Sequence, residues 1–166
     1  MKKGHIYTYY GCGKGKTTLA IGQGMRVLGN ENTVVMLQFL NQNESKEFLI
    51  LNKLEPDFRV FEYGTLPEGV SKLTEEQEAD VTNDIKMGFG FANKIIETGE
   101  SDMLILDGIL DAVSKGYLCE DTLCETLSKK ESYMDIILTG NDYNEKIAEL
   151  SDFVYSIKTE KFTEAE

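Results

Sequence analysis

The chain has 166 residues, of which 41% are apolar, and a formal net charge of −12. This length is sufficient for one domain with a sizeable buried core, and no apolar run approaches the ~20 residues that span a bilayer. The negative charge argues against nucleic acid or an anionic membrane as a partner, since both attract basic surfaces.

The chain begins with a short β-rich segment. MKKGHIYTYYGC carries two lysines, but HIYTYY is too short and too polar for the ~7–15-residue apolar region of a secretory signal peptide. We therefore expect a cytoplasmic protein in which residues 5–10 form a strand that stops at Gly11. Apolar residues at helical spacing then predict a helix over 17–28, ended by a Gly-Asn pair.

Strands and helices alternate along the rest of the chain. Continuous apolar runs such as TVVMLQFL and DMLILD are typical of strands buried on both faces of a parallel sheet. The further strands are predicted over 33–40, 59–63, 102–107, 134–139 and 153–157. The further helices are predicted over 45–54, 75–98, 109–115, 120–129 and 144–150.

This alternation predicts the fold class. We expect an α/β protein, a three-layer P-loop NTPase-like domain with a mostly parallel sheet and helices on both faces. No linker, repeat or low-complexity segment divides residues 1–166, so we expect a single nucleotide-binding domain whose tail is frayed after about residue 158.

The segment GCGKGKTT, residues 11–18, lies where the first strand becomes the first helix. Its glycines let backbone N–H groups converge on an anion, and the helix N-terminus adds partial positive charge. In such a loop Lys16 reaches the terminal phosphates of a nucleotide and the Thr17 hydroxyl ligates Mg²⁺. The alternative is an ordinary glycine-rich loop, because the strict pattern requires a glycine at Tyr10 and the first glycine comes one residue later.

A metal-bound triphosphate also needs a carboxylate at the end of a neighbouring strand. Asp107 closes MLILD and fits this role, with a helix N-cap as the alternative. In many nucleotide hydrolases a Glu follows that Asp and polarises water, but here Gly108 follows, so this route of water activation is not expected. Asp111, one helical turn on, is a further candidate for the same site. Neither arginine, Arg26 or Arg59, is placed like the residue of a phosphate-clamping lid.

The cysteines and the single histidine indicate no metal or redox chemistry. Cys12, Cys119 and Cys124 are an odd number without a secretory context, and Cys119 and Cys124 lack close Cys or His partners. We expect buried or idle thiols.

The form of the loop resembles the GNGKGKTT loop of the ATP:corrinoid adenosyltransferases, which share the offset first glycine. The resemblance continues in order through RVLGN, VVMLQFL, EGVSKLTEEQEAD, LILDGILDAVSKGYL and IILTGNDYNEKIAELSDFV. It covers nearly the whole chain and is therefore more specific than a P-loop alone.

The resemblance implies a reaction and a set of site residues. In this family the Co(I) of a reduced corrinoid attacks the 5′-carbon of ATP and triphosphate leaves, so no side-chain nucleophile is needed and Lys16 would stabilise the leaving group. It also implies Mg²⁺ or Mn²⁺ at Thr17 and Asp107, a flavoprotein reductant and a homodimer. The nucleotide would be held by Gly11, Cys12, Gly13, Lys14, Gly15, Lys16, Thr17, Thr18 and Gln38.

Several positions depart from the family. An expected metal-binding Glu is replaced by Gly108, and two aromatic residues of the corrinoid-contacting loop are replaced by Val70 and Lys72, which removes apolar surface. The other departures are Asn41 for a basic residue, Asn141 for an Arg, Ser156 for a Glu, and the tail EKFTEAE for a Lys-His-rich segment.

Three functions remain open on the sequence alone. The first is an active adenosyltransferase, and the second is a relative that binds ATP or corrinoid without catalysis, as a regulator or carrier. The third is a metabolite kinase on the same fold, which the scarcity of arginine disfavours. We also expect the loop LPEGVSKLTEEQ, which contains Gly69 and follows Gly64, to become ordered when corrinoid binds.

Overall fold

A computed structural model of the protein describes residues 3–42 and 46–163. Six strands form one sheet in which every neighbouring pair is parallel, in the order β3-β2-β4-β5-β1-β6. The predicted mostly parallel sheet is therefore confirmed. The strands are β1 (Ile6–Tyr10), β2 (Val34–Phe39), β3 (Phe58–Tyr63), β4 (Met103–Asp107), β5 (Asp135–Gly140) and β6 (Phe153–Ser156).

Helices connect the strands, and nearly all of their ends lie within one residue of the predicted ones. They are α1 (Lys16–Leu28), α2 (Lys46–Leu51), α3 (Glu75–Thr98), α4 (Ile109–Ser114), α5 (Glu120–Ser128) and α6 (Glu145–Leu150). The long helix α3 begins with the predicted capping box, because Thr74 and Gln77 exchange side-chain-to-backbone hydrogen bonds. None of the helices in the described ranges is long and apolar enough to cross a membrane.

The helix predicted over 45–54 is shorter than expected. Its first residue, Ser45, lies outside the described residues, and α2 ends at Leu51 and gives way to a 3₁₀ turn, Asn52–Leu54. Pro56 explains why no helical turn continues past Leu54, because the residue before a proline is driven to extended backbone, and Glu55 has φ −63° and ψ 144°.

The core has two parts, one on each face of the sheet. On one face α3, α4 and α5 cover strand residues such as Leu37 and Leu106. On the other face α1 and α2 cover Met36 and Ile105. The strands β2, β4 and β5 are buried along their whole length, which explains their continuous apolar sequences.

The alternation of side chains along the strands positions the candidate site. Met36, Ile105 and Ile137 face α1, and the residues two positions further along each strand face the same way. The residues two positions further along stand at the carboxyl ends of three neighbouring strands, beside the start of α1. They are Gln38, Asp107 and Thr139, and all three are buried.

After β6, residues 157–163 form no helix or strand. The predicted fraying of the tail stays a prediction, and its last residues, 164–166, lie outside the described ones.

Candidate active site

The glycine-rich loop between β1 and α1 takes a shape that other residues would not permit. Gly11 has φ +122°, and a Cβ atom there would lie 2.2 Å from the carbonyl oxygen of Ile157. The N–H of Gly13 donates to the same carbonyl at 3.0 Å. Gly15 has φ +104° and precedes α1, whose first turn has no acidic residue. The loop therefore opens onto a helix N-terminus that is free to attract an anion.

Lys16 lies at the centre of this loop. Its Nζ donates to the carbonyl oxygens of Gly11 at 2.5 Å and Gly13 at 2.8 Å, and to the Asn141 Oδ1 atom at 3.3 Å. The ammonium group thus lies against the backbone of the loop, where it would act as a point charge on an anion bound there.

Thr17 and Asp107 meet as predicted. The Thr17 hydroxyl lies 2.9 and 3.0 Å from the two carboxylate oxygens of Asp107, which is buried at the end of β4. The same carboxylate accepts hydrogen bonds from Gln38 Nε2 at 3.0 Å and Thr139 Oγ1 at 2.6 Å. Asp107 is therefore oriented by donors from three other elements.

This donor set fits a hard divalent cation. A hydroxyl and a carboxylate are the oxygen ligands that Mg²⁺ and Mn²⁺ prefer, and Mg²⁺ commonly takes only one or two protein carboxylates. Within residues 3–42 and 46–163, no group of three or more His, Cys, Asp or Glu side chains could hold a metal. The fit therefore rests on Thr17 and Asp107.

The backbone conformation at position 108 requires a glycine. It has φ +78°, and a Cβ there would lie 2.4 Å from the carbonyl oxygen of Phe39 on the neighbouring strand. Its N–H donates to Thr139 Oγ1 at 2.9 Å. The resemblance implies a Glu at this position, but here a side chain could be added only by moving the end of β2.

We expect Gly108→Ala to destabilise the protein by about 2–4 kcal/mol, because left-handed backbone and a backbone clash add together. Gly116→Ala is the matched control, since Gly116 has φ +80° and a Cβ atom there would have no neighbour within 4 Å among the described residues. The melting temperature should fall by roughly 5–15 °C for Gly108→Ala and by much less for Gly116→Ala. Equal melting temperatures for the two variants would contradict the close approach to Phe39.

Asp111 does not join the Thr17–Asp107 pair. Its carboxylate accepts from the backbone N–H of Asn141 at 2.8 Å and from Asn141 Nδ2 at 3.3 Å. Since Asn141 Oδ1 also accepts from Lys16, the asparagine bridges the lysine and Asp111. The proposed second carboxylate for the metal is thus engaged in holding the segment after β5 against the loop.

A second cleft lies under the segment between β3 and α3. It has a volume of about 300 Å³ and is lined by Leu66, Val70, Lys72, Glu78, Lys115 and Tyr117, among others. Tyr117 donates to Glu78 Oε1 at 2.8 Å, which ties the start of α3 to the segment after α4. Burial, with the hydrogen bond to Glu78 and its charge, raises the pKa of the Tyr117 phenol, which stays protonated at neutral pH. Val70 and Lys72 are exposed on this cleft.

The other sequence candidates lie away from the loop or at its rim. Arg59 is the second residue of β3, near the end of the sheet opposite the loop, and forms a 3.5 Å ion pair with Glu100. Arg26 is in the last turn of α1, about 15 Å along the helix from Lys16. Cys12 is exposed in the loop, and none of the three cysteines forms a disulfide.

Two side chains that touch the loop or Asp107 were not predicted to do so. Thr139 ends the predicted strand 134–139, and its hydroxyl is visible in the sequence only as a polar residue closing an apolar run. Asn141 stands out in the sequence only as the replacement of an arginine. Their contacts with Asp107 and Lys16 join residues 32 and 125 positions apart, which periodicity cannot reveal.

The sequence is similar to known proteins along nearly its whole length. Residues 2–165 match the family model described as ATP:corrinoid adenosyltransferase BtuR/CobO/CobP. The corrinoid adenosyltransferase of Escherichia coli K12 is 28% identical over 163 residues, which are 96% of this chain and 79% of that protein. The Salmonella typhimurium corrinoid adenosyltransferase CobA is 26% identical over the same shares, and a Pseudomonas aeruginosa corrinoid adenosyltransferase is 24% identical over 92% of this chain and 74% of that protein.

Proposed function

The chain belongs to the ATP:corrinoid adenosyltransferase family, and from this we propose that it transfers the 5′-deoxyadenosyl group of ATP to the cobalt of a reduced corrinoid. The Co(I) of the corrinoid substrate attacks C5′ of ATP. A Co–C bond forms, the C5′–O bond breaks, and its electron pair leaves with triphosphate. The observation that carries the proposal is the loop in which Lys16 Nζ stands among the carbonyls of Gly11 and Gly13 beside the start of α1.

The chain's residues act on the leaving group. Negative charge grows on the triphosphate as the C5′–O bond breaks, and Lys16, the loop N–H groups and the N-terminus of α1 oppose it with positive charge. The reaction needs no general base, which agrees with a site that has Gly108 after the strand carboxylate. Gly11–Thr18 and Gln38 would hold the nucleotide. Thr17 and Asp107 would hold Mg²⁺ or Mn²⁺, which offsets part of the phosphate charge.

The second cleft is the proposed place for the corrinoid. It lies under the segment that corresponds to the family's corrinoid-contacting loop, and its lining mixes apolar Leu66 and Val70 with charged Lys72 and Glu78. Such a lining offers less apolar area to the macrocycle than an aromatic one would.

We expect Val70→Phe to tighten corrinoid binding about threefold to tenfold, because an added ring buries more apolar surface against the substrate. Val154→Phe is the matched control, since Val154 is similarly exposed but lies on β6 at the far edge of the sheet. Binding would be followed by the change in corrinoid absorbance on titration. Equal corrinoid affinities of the two variants would contradict the proposal that the corrinoid binds in this cleft.

The segment between β3 and α3 should become protected when corrinoid binds. Lys72 is exposed in a stretch without helix or strand, so trypsin can cleave after it. We expect corrinoid with ATP to slow this cleavage several-fold relative to cleavage elsewhere, because closure over the substrate orders the segment. An unchanged cleavage rate at Lys72 would count against a closing loop.

Adenosyl transfer is tested directly by mixing the protein anaerobically with chemically reduced cobalamin and Mg-ATP. Formation of a light-sensitive Co–C species, seen in the visible spectrum, would support the proposal. No conversion with either cobalamin or a smaller precursor corrinoid would overturn it. A flavoprotein as physiological reductant and a homodimer are further proposals, and both rest on the family.

A second candidate is a family member that binds ATP or corrinoid without transferring the adenosyl group. It is favoured by Gly108, where the backbone excludes the family's carboxylate, and by Asn141, where a neutral amide touches Lys16. Nucleotide binding without turnover on any corrinoid is the result this candidate expects.

A further inference from the structure

The side chain of Gln38, which contacts Asp107, has an acceptor atom without a hydrogen-bond donor among the described residues. Gln38 is 5% exposed at the end of β2. Its amide donates from Nε2 to Asp107 Oδ2 at 3.0 Å. Its other end, Oε1, is buried and has no hydrogen-bond partner among the residues that the structure describes. Buried acceptors are almost always paired, so an unpaired one at a ligand site calls for a donor from outside the chain.

The orientation of this amide is determined by its neighbour. A carboxylate oxygen accepts hydrogen bonds, so the NH₂ group of Gln38, and not its carbonyl oxygen, faces Asp107 Oδ2. Oε1 belongs to the same planar amide group, whose NH₂ contacts Asp107. Strand alternation turns the whole side chain toward α1, the helix that begins with Lys16 and Thr17.

The chemistry of the site indicates which donor is missing. Lys16 Nζ, the nearby cationic donor, already donates to Gly11, Gly13 and Asn141. A divalent cation at Thr17 and Asp107 would receive few protein ligands, because Gly108 brings no carboxylate. Mg²⁺ in such sites keeps several waters, and each of these waters is a strong donor that needs an acceptor.

We infer that Gln38 Oε1 accepts a hydrogen bond from a water on the divalent cation held by Thr17 and Asp107. Gln38 is then a positioning residue with two functions: its NH₂ group orients the metal-binding carboxylate, and its oxygen holds the hydrated face of the ion. The inference rests on the proposed function insofar as that function puts a metal–nucleotide complex at this loop.

The test measures metal binding and not turnover. Mn²⁺ is titrated into the protein with ATP and without corrinoid, and free Mn²⁺ is followed by its EPR signal. We expect Gln38→Met, which removes the donor and the acceptor, to weaken Mn²⁺ binding at least about tenfold. Gln38→Glu keeps an acceptor oxygen and should bind Mn²⁺ at least as tightly as the wild type.

Thr139→Val is the matched control. It removes another buried donor to Asp107, together with the acceptor of the Gly108 N–H, but leaves the Gln38 oxygen in place. It should weaken Mn²⁺ binding less than about threefold. The affinity for metal-free ATP is measured for every variant, so that a loss of Mn²⁺ affinity is separated from a loss of nucleotide affinity. Equal losses in Gln38→Met and Thr139→Val would mean that Gln38 only orients Asp107 and would overturn the inference, as would tight binding by Gln38→Met.

Gln38→Glu keeps the test decisive if Gln38→Met does not fold. Gln38→Glu also removes one donor to Asp107, and Thr139→Val measures what the loss of such a donor costs. A tenfold loss of Mn²⁺ affinity in a folded Gln38→Glu protein, well beyond the loss in Thr139→Val, would exclude an acceptor role for the side-chain oxygen. The inference and the proposed function can fail separately: a chain with the expected Mn²⁺ pattern that forms no Co–C bond would keep the first and lose the second. A chain that forms the bond while Gln38→Met binds Mn²⁺ normally would do the reverse.

Discussion

Replacing Lys16 with methionine is expected to lower the rate of adenosyl transfer by about 10³-fold, or roughly 4 kcal/mol of transition-state stabilisation. Its Nζ is the cationic donor that contacts the loop carbonyls of Gly11 and Gly13. Negative charge on the triphosphate increases as the C5′–O bond breaks, so a cation at this point stabilises the transition state more than bound ATP. The loss should therefore be larger in kcat than in the affinity for ATP.

The measurement is the initial rate of Co–C bond formation at saturating ATP, with ATP affinity measured separately. Lys94→Met is the matched control: it makes the same change in net charge at an exposed position of α3. It should stay within about twofold of the wild type, since one distant surface charge is screened by salt. A Lys16→Met enzyme that kept a tenth or more of the wild-type rate would refute the role given to this lysine.

The second large effect is expected from Asp107→Asn, which should reduce metal-dependent transfer by about 10²-fold or more. The carboxylate accepts from Thr17, Gln38 and Thr139. An asparagine removes the negative charge that would face the cation. It also turns one acceptor oxygen into an NH₂ group, which then opposes a donor from a neighbouring strand or from α1.

Asp135→Asn is the control for this change. Asp135 is as buried as Asp107, at 4% exposure, but it lies at the amino end of β5 and accepts from the backbone N–H of His5 at 2.8 Å. An asparagine can keep that bond through Oδ1, so activity should stay within about twofold of the wild type. The two variants would be compared at increasing Mg²⁺ concentration. Equal activity of Asp107→Asn and Asp135→Asn at every concentration would contradict the proposal that Asp107 binds the metal.

The sequence predicted most of the fold because its signals are local. Apolar runs and helical spacing act within about ten residues, and the observed ends of nearly all strands and helices lie within one residue of the predicted ones. The capping box of Thr74 and Gln77 spans three positions. The one clear error is the helix over 45–54, whose last three residues form a 3₁₀ turn in place of an α-helix, a distinction that apolar spacing does not reveal.

The candidate site was predictable in its components but not in its contacts. The loop could be recognised because its glycines and lysines are consecutive, and Asp107 because it closes an apolar strand. Asp111 was misplaced because helical spacing gives the direction of a side chain only relative to its own helix. Its partner, Asn141, comes from another strand end 30 positions away. The alternation of β2, β4 and β5 explains why Gln38, Asp107 and Thr139 meet, but only after the order of the strands is known.

Gly108 shows most clearly how the information in the sequence differs from that in the tertiary structure. From the sequence it is a lost carboxylate, whereas in the folded chain it is a glycine with φ +78° pressed against the Phe39 carbonyl. The sequence alone determined the alternating α/β class, the position of the glycine-rich loop and the family resemblance, because these depend on residues near one another in the chain. Only the tertiary structure decided which side chains surround Asp107, what Asn141 bridges and why Gln38 has an unmet acceptor. Those contacts join residues 30 to 125 positions apart, and the packing of parallel strands brings them together.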